Sequence, residues 1–301
     1  MRTASRAVVL AVVVLLGLVG GDAAVLGARV RDLPVRLHPG HGGDTWLLVG
    51  LDSRSHLPPG ASEAFGTAED VPGSRADVVL VVTDDGRRTT VLSVPRDVVV
   101  DTAEGPGRLA LSWRAAPQQA VDALCGLGIP ADHLVTIDLA GFQDVVDAAG
   151  GLDVDVPAPV RDPAAGLLVT RSGRQHVDGA TALALVRSRH PEHLLDGQWA
   201  PAAVDPDERA GDAGTVLRAL SRRVRATAAH PWRLQELAWS TSGALSVDEG
   251  TSTAELLGLA RKDLSDVRVL PVGDPVGGTL ARFPTEETAS TLAAAGLSCR
   301  P

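Results

Sequence analysis

Short apolar runs that end in turns or charged residues mark the first half of the chain. Residues 46–50 and 78–83 are brief and almost wholly apolar, which is typical of strands buried on both faces. An Asp-Asp-Gly turn at residues 84–86 follows the second run, and residues 89–94 form the predicted return strand. The same reasoning predicts further strands at residues 134–138 and 267–272, and an alternating edge strand at residues 153–157.

Helical periodicity separates these predicted strands. Apolar residues recur at helical spacing in residues 118–127, and a helix predicted for residues 141–149 stops at the pair Gly150-Gly151. Small residues dominate a predicted helix at residues 179–186. Three more helices are predicted at residues 215–229, 233–239 and 253–261. Because strands alternate with helices, we predict an α/β fold: a three-layer α/β/α domain with a mixed central sheet. We also predict an N-terminal transmembrane helix before this domain.

The N-terminus carries an export pattern, in which Arg2 and Arg6 precede an apolar run at residues 7–21. That run alone fits a cleaved signal peptide. Together with the apolar stretch at residues 23–28 it approaches the roughly 20 residues that span a bilayer. We favour a retained signal-anchor helix over residues 1–28. The expected location is the cell membrane, single-pass, with the C-terminal domain extracytoplasmic because the positive flank stays inside.

The predicted anchor is followed by a linker and one folded domain. Residues 29–43 mix Arg, Pro, Gly and His without periodicity, so we predict a linker there and a domain over residues 44–301. Residues 55–74 are rich in Pro, Gly and acidic residues and predict an exposed loop. Cys125 and Cys299 are the only cysteines. Outside the cytoplasm they could form a disulfide, and two free thiols are equally compatible with the sequence.

Composition and missing motifs exclude several classes of protein. The net charge of −9 argues against a nucleic-acid partner, because such proteins usually present a basic face to phosphates. Lys262 is the only lysine and lies in no GxxxxGK loop, which excludes a phosphate-binding lysine of that kind. The sequence contains no GxSxG, HExxH or CxxC motif, and no GxGxxG opens a helix after a strand. The usual hydrolase and dinucleotide-binding interpretations therefore lose their support.

The remaining candidates for chemistry are Asp and Arg residues that follow predicted strands and helices. They are Asp52 with Arg54, Arg75 with Asp77, Arg96 with Asp97, Arg187 with Arg189, and Arg209 beside Asp205 and Asp207. Mg²⁺ is usually held by one or two carboxylates plus substrate phosphates, and arginine forks bind phosphate oxygens in pairs. The combination suits a diphosphate. For any single pair, the alternative is an ordinary solvated charge at the end of an element.

Six short motifs in a fixed order carry a resemblance to a known family. They are LLVGLDSR at residues 47–54, SRAD at 74–77, VLSVPRD at 91–97, IDLAGF at 137–142, DAAGGLDVDVP at 147–157 and GRQHVDGATALALVRSR at 173–189. With these motifs, the region from about residue 44 to residue 294 resembles the LytR-CpsA-Psr family of cell-wall glycopolymer ligases.

The resemblance implies an enzyme. Members of the family take a glycopolymer from a polyprenyl-diphosphate carrier in the membrane and attach it to peptidoglycan through a phosphodiester bond, with Mg²⁺ as cofactor. Carried over to this sequence, Asp52 and Asp77 are expected to bind the metal, and Arg96 and Asp97 to act in catalysis. The expected diphosphate-binding residues are Arg54, Arg75, Arg96, Arg187, Arg189 and Arg209. Asp97 is expected to act as a base or to orient Arg96, and an apolar tunnel to hold the lipid.

The sequence departs from the family pattern in two places. Residues 205–214 read DPDERAGDAG, so Arg209 is present, Asp212 stands where a second arginine is expected, and a Gln pair is absent. The Lys-Ile-Asn feature expected around Arg108 is also missing, which leaves Arg108 as a weaker candidate. The alternative function is therefore a catalytically impaired polyprenyl-diphosphate-binding or regulatory protein of the cell envelope.

Overall fold

The structure is a computed structural model that describes residues 24–53, 73–202, 206–227 and 230–299, with the backbone alone for residues 206–213 and 231. Most of the predicted signal anchor, Arg54 and most of the loop predicted at residues 55–74 lie outside these residues. Within the described ranges, no helix combines the length and the apolar character that a membrane crossing requires.

The elements are numbered along the chain. The strands are β1 (Arg31–Leu33), β2 (Asp44–Leu51), β3 (Ala76–Asp84), β4 (Thr89–Val94), β5 (Val99–Thr102), β6 (Gly105–Arg108), β7 (His133–Asp138), β8 (Leu152–Val156), β9 (Val160–Asp162), β10 (Leu167–Val169), β11 (Gly173–Val177), β12 (Glu192–Leu195), β13 (Gln198–Pro201), β14 (Leu245–Asp248) and β15 (Val267–Val269). The helices are α1 (Leu109–Ala115), α2 (Pro117–Gly126), α3 (Leu139–Ala148), α4 (Gly179–Arg187), α5 (Pro206–Thr227), α6 (Pro231–Ala244), α7 (Thr253–Arg261) and α8 (Glu286–Ala294).

A seven-stranded mixed sheet forms the centre, in the order β1-β14-β7-β2-β3-β4-β15. The hairpin partners β2, β3 and β4 are antiparallel, whereas β7 runs parallel to β2 and β15 runs parallel to β4. The mixed central sheet confirms the sequence-based prediction. The register places the carboxyl end of β2 beside the amino end of β3, since Leu51 pairs with Ala76.

The two faces of the sheet build two separate cores, because successive side chains of a strand point to opposite faces. Leu47 and Val49 pack on one face in a cluster that includes residues of α1, α2 and α8. Trp46 and Leu80 pack on the other face with residues of α5 and α7. The sheet therefore lies between two helical layers, as the alternation of strands and helices predicts.

A smaller unit of short strands follows α3. The antiparallel sheet β10-β9-β12-β13 and the pair β11-β8 contribute to a separate apolar cluster with α4 and α5. The turn into this unit uses two glycines in the left-handed conformation, Gly150 at φ 80° and Gly151 at φ 78°. A Cβ on Gly151 would lie 2.8 Å from the backbone carbonyl oxygen of Val177, so this turn requires glycine for space as well as conformation.

The segment predicted to be a linker belongs to the fold. β1 pairs in parallel with β14 at the edge of the central sheet. The backbone N–H of Arg36 donates to Gln118 Oε1 at 2.7 Å, and His38 Nε2 lies 2.8 Å from Asp122 Oδ1. The linker prediction for residues 29–43 is therefore wrong from Arg31 onward. Its polar and proline-rich composition gives no local sign of the edge strand, because the strand and these contacts depend on distant elements.

Cys125 and Cys299 form a disulfide.

Candidate functional site

The ends of three adjacent strands bring the predicted acidic and basic residues together. β2 ends just before Asp52, whose N–H donates to the carbonyl oxygen of Arg75 at 2.9 Å. Asp77 lies at the start of β3, and the chain leaving β4 supplies Arg96 and Asp97. Because β3 runs antiparallel to β2 and β4, all these residues share one edge of the sheet.

Carboxylates hold the guanidinium groups at this edge. Arg75 Nη2 donates to Asp52 Oδ2 at 2.5 Å. Asp77 accepts from two arginines, from Arg96 Nη1 at 2.7 Å and from Arg189 Nη2 at 2.8 Å. This double contact links the central sheet to the segment that follows α4. The positive charges converge because an acidic group lies between them, which offsets their mutual repulsion.

Asp97 contacts two arginines, Arg96 and Arg108. Its Oδ1 accepts from Arg108 Nη1 at 3.1 Å, and its Oδ2 lies 3.5 Å from Arg96 Nε. Its carboxylate is almost fully buried. Arg108, the weaker candidate from sequence, therefore contacts the same group as Arg96. The contacts of Arg96 with Asp97 and with Asp77 restrict how its guanidinium group can be oriented.

Helix α4 delivers the other two arginines. Asp178 caps its first turn by accepting from the N–H of Thr181, and the helix ends at Arg187. Arg189 follows in a bend, and its Nη2 donates to Asp77 Oδ2. Arg187 and Arg189 line the same cavity as Asp52, Asp77, Arg96 and Asp97. Six of the predicted residues thus line one cavity. Arg75 is not in the lining but donates a hydrogen bond to Asp52, which is.

The charges of the cluster shift two arginine pKa values in opposite directions. The hydrogen bond to Asp52 raises the pKa of Arg75. The pKa of Arg189 is lowered, first by desolvation and then by the nearby positive charges of Arg96 and Arg75. About 40% of the Arg189 side chain is exposed, yet its guanidinium group is still repelled by the positive charges of Arg96 and Arg75. An added anion would relieve this repulsion.

The cavity is mostly apolar and has a volume of about 470 Å³. Its charged end is the cluster just described. The rest is lined by residues of α5, α6 and α7 and by the face of the sheet that packs against α5 and α7, including Leu48, Leu80 and Val135. The apolar part of the cavity includes Leu220, Leu237, Leu256 and Leu264. Such a cavity suits a ligand with a charged head and a long apolar body.

The predicted metal ligands, Asp52 and Asp77, both line the charged end of the cavity. Within the described ranges, three or more His, Cys, Asp or Glu residues do not gather into a possible metal site. Two carboxylates nevertheless fit Mg²⁺, which commonly takes its remaining oxygen ligands from water and substrate phosphates. In the structure, arginines contact both carboxylates.

Two sequence-based candidates and Asp212 have side chains outside the described residues. Arg54 lies outside the described residues, as does the side chain of Arg209, although the backbone of residue 209 forms part of α5. The side chain of Asp212, which motivates the alternative of impaired catalysis, also lies outside them.

Sequence reasoning missed Arg282, a buried arginine that lines the cavity. Its Nε donates to the carbonyl oxygen of Gly273 at 2.7 Å, and its backbone N–H donates to that of Asp97 at 3.1 Å. Arg282 lies between β15 and α8 in a segment without helical or strand periodicity. No local pattern marks it, because its position depends on packing against residues far away in the chain.

Comparisons with known proteins give the same family as the sequence motifs. The probable cell wall biosynthesis protein LcpB of Corynebacterium glutamicum is 34% identical over 175 residues, covering 54% of this chain and 40% of that protein. The polyisoprenyl-teichoic acid–peptidoglycan teichoic acid transferase TagV of Bacillus subtilis is 33% identical over 134 residues, covering 40% of this chain and 34% of that protein. The matches thus span less than half the length of these two relatives.

A solved structure extends the similarity to most of the fold. The LytR-Csp2A-Psr enzyme from Actinomyces oris superposes with a TM-score of 0.75 at 34% identity, covering 91% of this chain and 99% of that chain. The family model described as the LytR_cpsA_psr family matches residues 35–198. Since this match covers more than half of the 301 residues, the chain belongs to the LytR-CpsA-Psr family.

Proposed function

We propose that this protein is a phosphotransferase that moves a glycopolymer from a polyprenyl-diphosphate carrier to peptidoglycan. The carrying observation is a single cavity that joins an Asp and Arg cluster to a long apolar lining. The cluster suits the diphosphate and the lining suits the polyprenyl chain. The name of the TagV relative, a polyisoprenyl-teichoic acid–peptidoglycan teichoic acid transferase, supports the same substrate class.

In the proposed reaction, a sugar hydroxyl of peptidoglycan attacks the phosphorus atom bonded to the glycopolymer. The bond from that phosphorus to the oxygen of the polyprenyl phosphate breaks, the hydroxyl proton is released, and a phosphodiester remains. Such transfers depend mainly on in-line positioning and on neutralising the charge spread over the phosphoryl oxygens. Arg75, Arg96, Arg187 and Arg189 are the described residues proposed to provide that neutralisation.

For Asp97, the contacts favour orientation of Arg96 over the role of a base. Its two oxygens face the guanidinium groups of Arg96 and Arg108. We therefore assign Asp97 to the orientation of Arg96.

Asp52 and Asp77 are proposed to hold Mg²⁺ when the donor is bound. The ion would supply positive charge beside the phosphate oxygens. The arginines that contact these carboxylates in the structure would then be available to the diphosphate. Metal and donor binding are therefore expected to be cooperative, because each reduces the cost of releasing these ion pairs.

We also propose that the protein is held at the cell membrane by residues 1–28, with the domain on the outer side. The support is the positive flank and apolar run of the N-terminus, together with the disulfide, which is typical of oxidising compartments. This placement would put the cavity next to a lipid-linked donor.

The test is a transfer assay with the full chain, a polyprenyl-diphosphate-linked glycopolymer, peptidoglycan and Mg²⁺. The expected result is equal release of polyprenyl phosphate and formation of a glycopolymer–peptidoglycan phosphodiester, both abolished by a metal chelator and restored by Mg²⁺. Tight donor binding without either product would support the binding or regulatory alternative. Release of polyprenyl phosphate without transfer would identify a hydrolase instead.

A further inference from the structure

A buried carboxylate outside the cavity lining contacts the segment that carries the arginine pair. Asp162, at the end of β9, is only 1% exposed. Its Oδ1 accepts from the N–H groups of Ala164 and Ala165 at 3.1 and 3.3 Å. Its Oδ2 accepts from Ser188 Oγ at 2.9 Å and from the N–H groups of Arg189 and His190, both at 2.8 Å.

These contacts occur where α4 ends and the backbone needs an acceptor. Ser188 leaves the helix with non-helical backbone angles, φ −55° and ψ 127°. Asp162 provides one buried oxygen for three donors of consecutive residues, and hydrogen bonds to an ionised acceptor are stronger than neutral ones. The segment between Arg187 and Arg189 is thus attached to a strand of the small sheet.

The protonation of Asp162 fits this role. Burial alone would raise its pKa, but the hydrogen bonds from His190, Arg189 and Ser188 outweigh burial and lower the pKa below its ordinary value. The carboxylate therefore remains ionised at neutral pH and keeps its full capacity as an acceptor.

We propose that Asp162 is a positioning residue for the diphosphate site: its Oδ2 fixes residues 188–190 so that Arg187 and Arg189 present their guanidinium groups to the phosphates. The inference rests on the proposed function for its link to substrate. The attachment itself does not depend on substrate. Asp162 touches neither cavity nor phosphate and acts through the arginines that it positions.

The first measurement is hydrogen exchange of the full chain without ligand, followed by mass spectrometry. In Asp162→Ala, the amides of Arg189 and His190 should lose protection, whereas they should stay protected in Asp155→Ala. Asp155 is an exposed carboxylate on β8, the strand that precedes β9 in the chain, and serves as the matched control. Unchanged protection in Asp162→Ala would overturn the inference whatever the protein binds.

The second measurement is binding of a short-chain polyprenyl diphosphate in the presence of Mg²⁺. Asp162→Ala should weaken binding roughly 10- to 100-fold, the range found when partners that orient a site are removed. Asp155→Ala should stay within about twofold, as expected for an exposed position. If Asp162→Ala does not fold, Asp162→Asn keeps the volume and one acceptor oxygen, so exchange shows which segment has lost its acceptor.

A double-mutant cycle separates positioning from general stability. If Asp162 acts through Arg189, then Asp162→Ala should add little to the loss already caused by Arg189→Ala. Fully additive effects, or lost protection with unchanged donor binding, would reduce Asp162 to a structural role and overturn the inference. Failure of the wild-type chain to bind the diphosphate would instead overturn the proposed function, while hydrogen exchange still decides the attachment.

Discussion

At the scale of single residues, Asp77 explains how two arginines from distant parts of the chain can lie at the same site. It accepts from both Arg96 and Arg189 and is largely buried. Without a carboxylate between them, the two guanidinium groups would repel each other. The guanidinium groups are therefore already close together in the structure, which would lower the cost of gathering them for the proposed donor.

Arg96 should be the arginine on which the reaction depends most, since it contacts both Asp77 and Asp97. Arg96→Ala is expected to lower the transfer rate on the order of 100- to 1,000-fold, the usual loss when one donor to a transition-state oxyanion is removed. The matched control is Arg88→Ala, because Arg88 also pairs with an aspartate, Asp266, but is exposed on the hairpin. Equal activity of the two variants would contradict this role.

Asp52 should contribute to stability as well as to the site. Asp52→Ala leaves Arg75 without the hydrogen bond that raises its pKa, and hydrogen bonds to charged groups contribute about 1.5–3 kcal/mol. Urea unfolding should show a loss of that size. The double variant Asp52→Ala/Arg75→Met should recover part of the stability but no transfer activity. A double variant as unstable as Asp52→Ala would indicate that this pair does not account for the loss.

The sequence predicted that these residues lie at one site, because each is next to a strand or helix that the hydrophobic pattern predicts. Asp52, Asp77 and Arg96 flank apolar strands, and Arg187 ends a predicted helix. Arg282 and Asp162 could not be found in this way. Arg282 lies in a segment without periodicity, and Asp162 ends a strand of only three residues. Their contacts depend on tertiary packing, which local patterns do not contain.

At the scale of elements, long apolar strands were predictable and most short strands were not. The prediction for β4 and that for α7 match the structure at both ends, and β2 and β3 extend only slightly beyond their predicted limits. The small sheets after α3 were largely missed, apart from β8. β9 and β10 have three residues each, too few for a period-2 pattern to stand out. Helices α1 and α8 were missed as well.

The N-cap of α4 provides a prediction at this scale. The hydroxyl and the N–H of Thr181 lower the pKa of Asp178 from its ordinary value of 3.8. Asp178→Ala should therefore reduce the free energy of unfolding at neutral pH by about 1 kcal/mol, a typical value for an N-cap.

The contribution of Asp178 depends on pH in one direction. Because its pKa is lower in the folded state, the stabilisation is complete above 3.8 and is lost as the pH falls through the folded-state value. The difference between wild type and Asp178→Ala should shrink in acid when urea unfolding is followed at several pH values. A difference that grows in acid would contradict the assignment of the cap.

At the scale of the whole molecule, the disulfide and the cavity lie on different sides of the sheet. Cys125 belongs to α2, which packs in the cluster that also contains α8 residues, and Cys299 follows α8. The helices that line the cavity, α5 and α7, pack on the opposite face. The cross-link joins positions 174 residues apart and thus restricts the unfolded chain strongly.

Loss of this disulfide should lower stability with little effect on the site. Cys125→Ser/Cys299→Ser is expected to reduce the free energy of unfolding by about 2–5 kcal/mol, the usual cost of removing a native disulfide. Well below its melting temperature, the variant should bind donor as the wild type does. Unfolding curves that coincide with and without reductant would show that the bond does not constrain the chain.

The central claim is that the charged end of the cavity recognises the diphosphate while the apolar end holds the lipid. Native mass spectrometry of the full chain in detergent, with Mg²⁺, can compare a polyprenyl diphosphate with the polyprenol of the same length. The account predicts strong preference for the diphosphate in the wild type, and loss of that preference in Arg187→Ala/Arg189→Ala. Equal binding of the two lipids by the wild type, or a preference unchanged in the double variant, would contradict it.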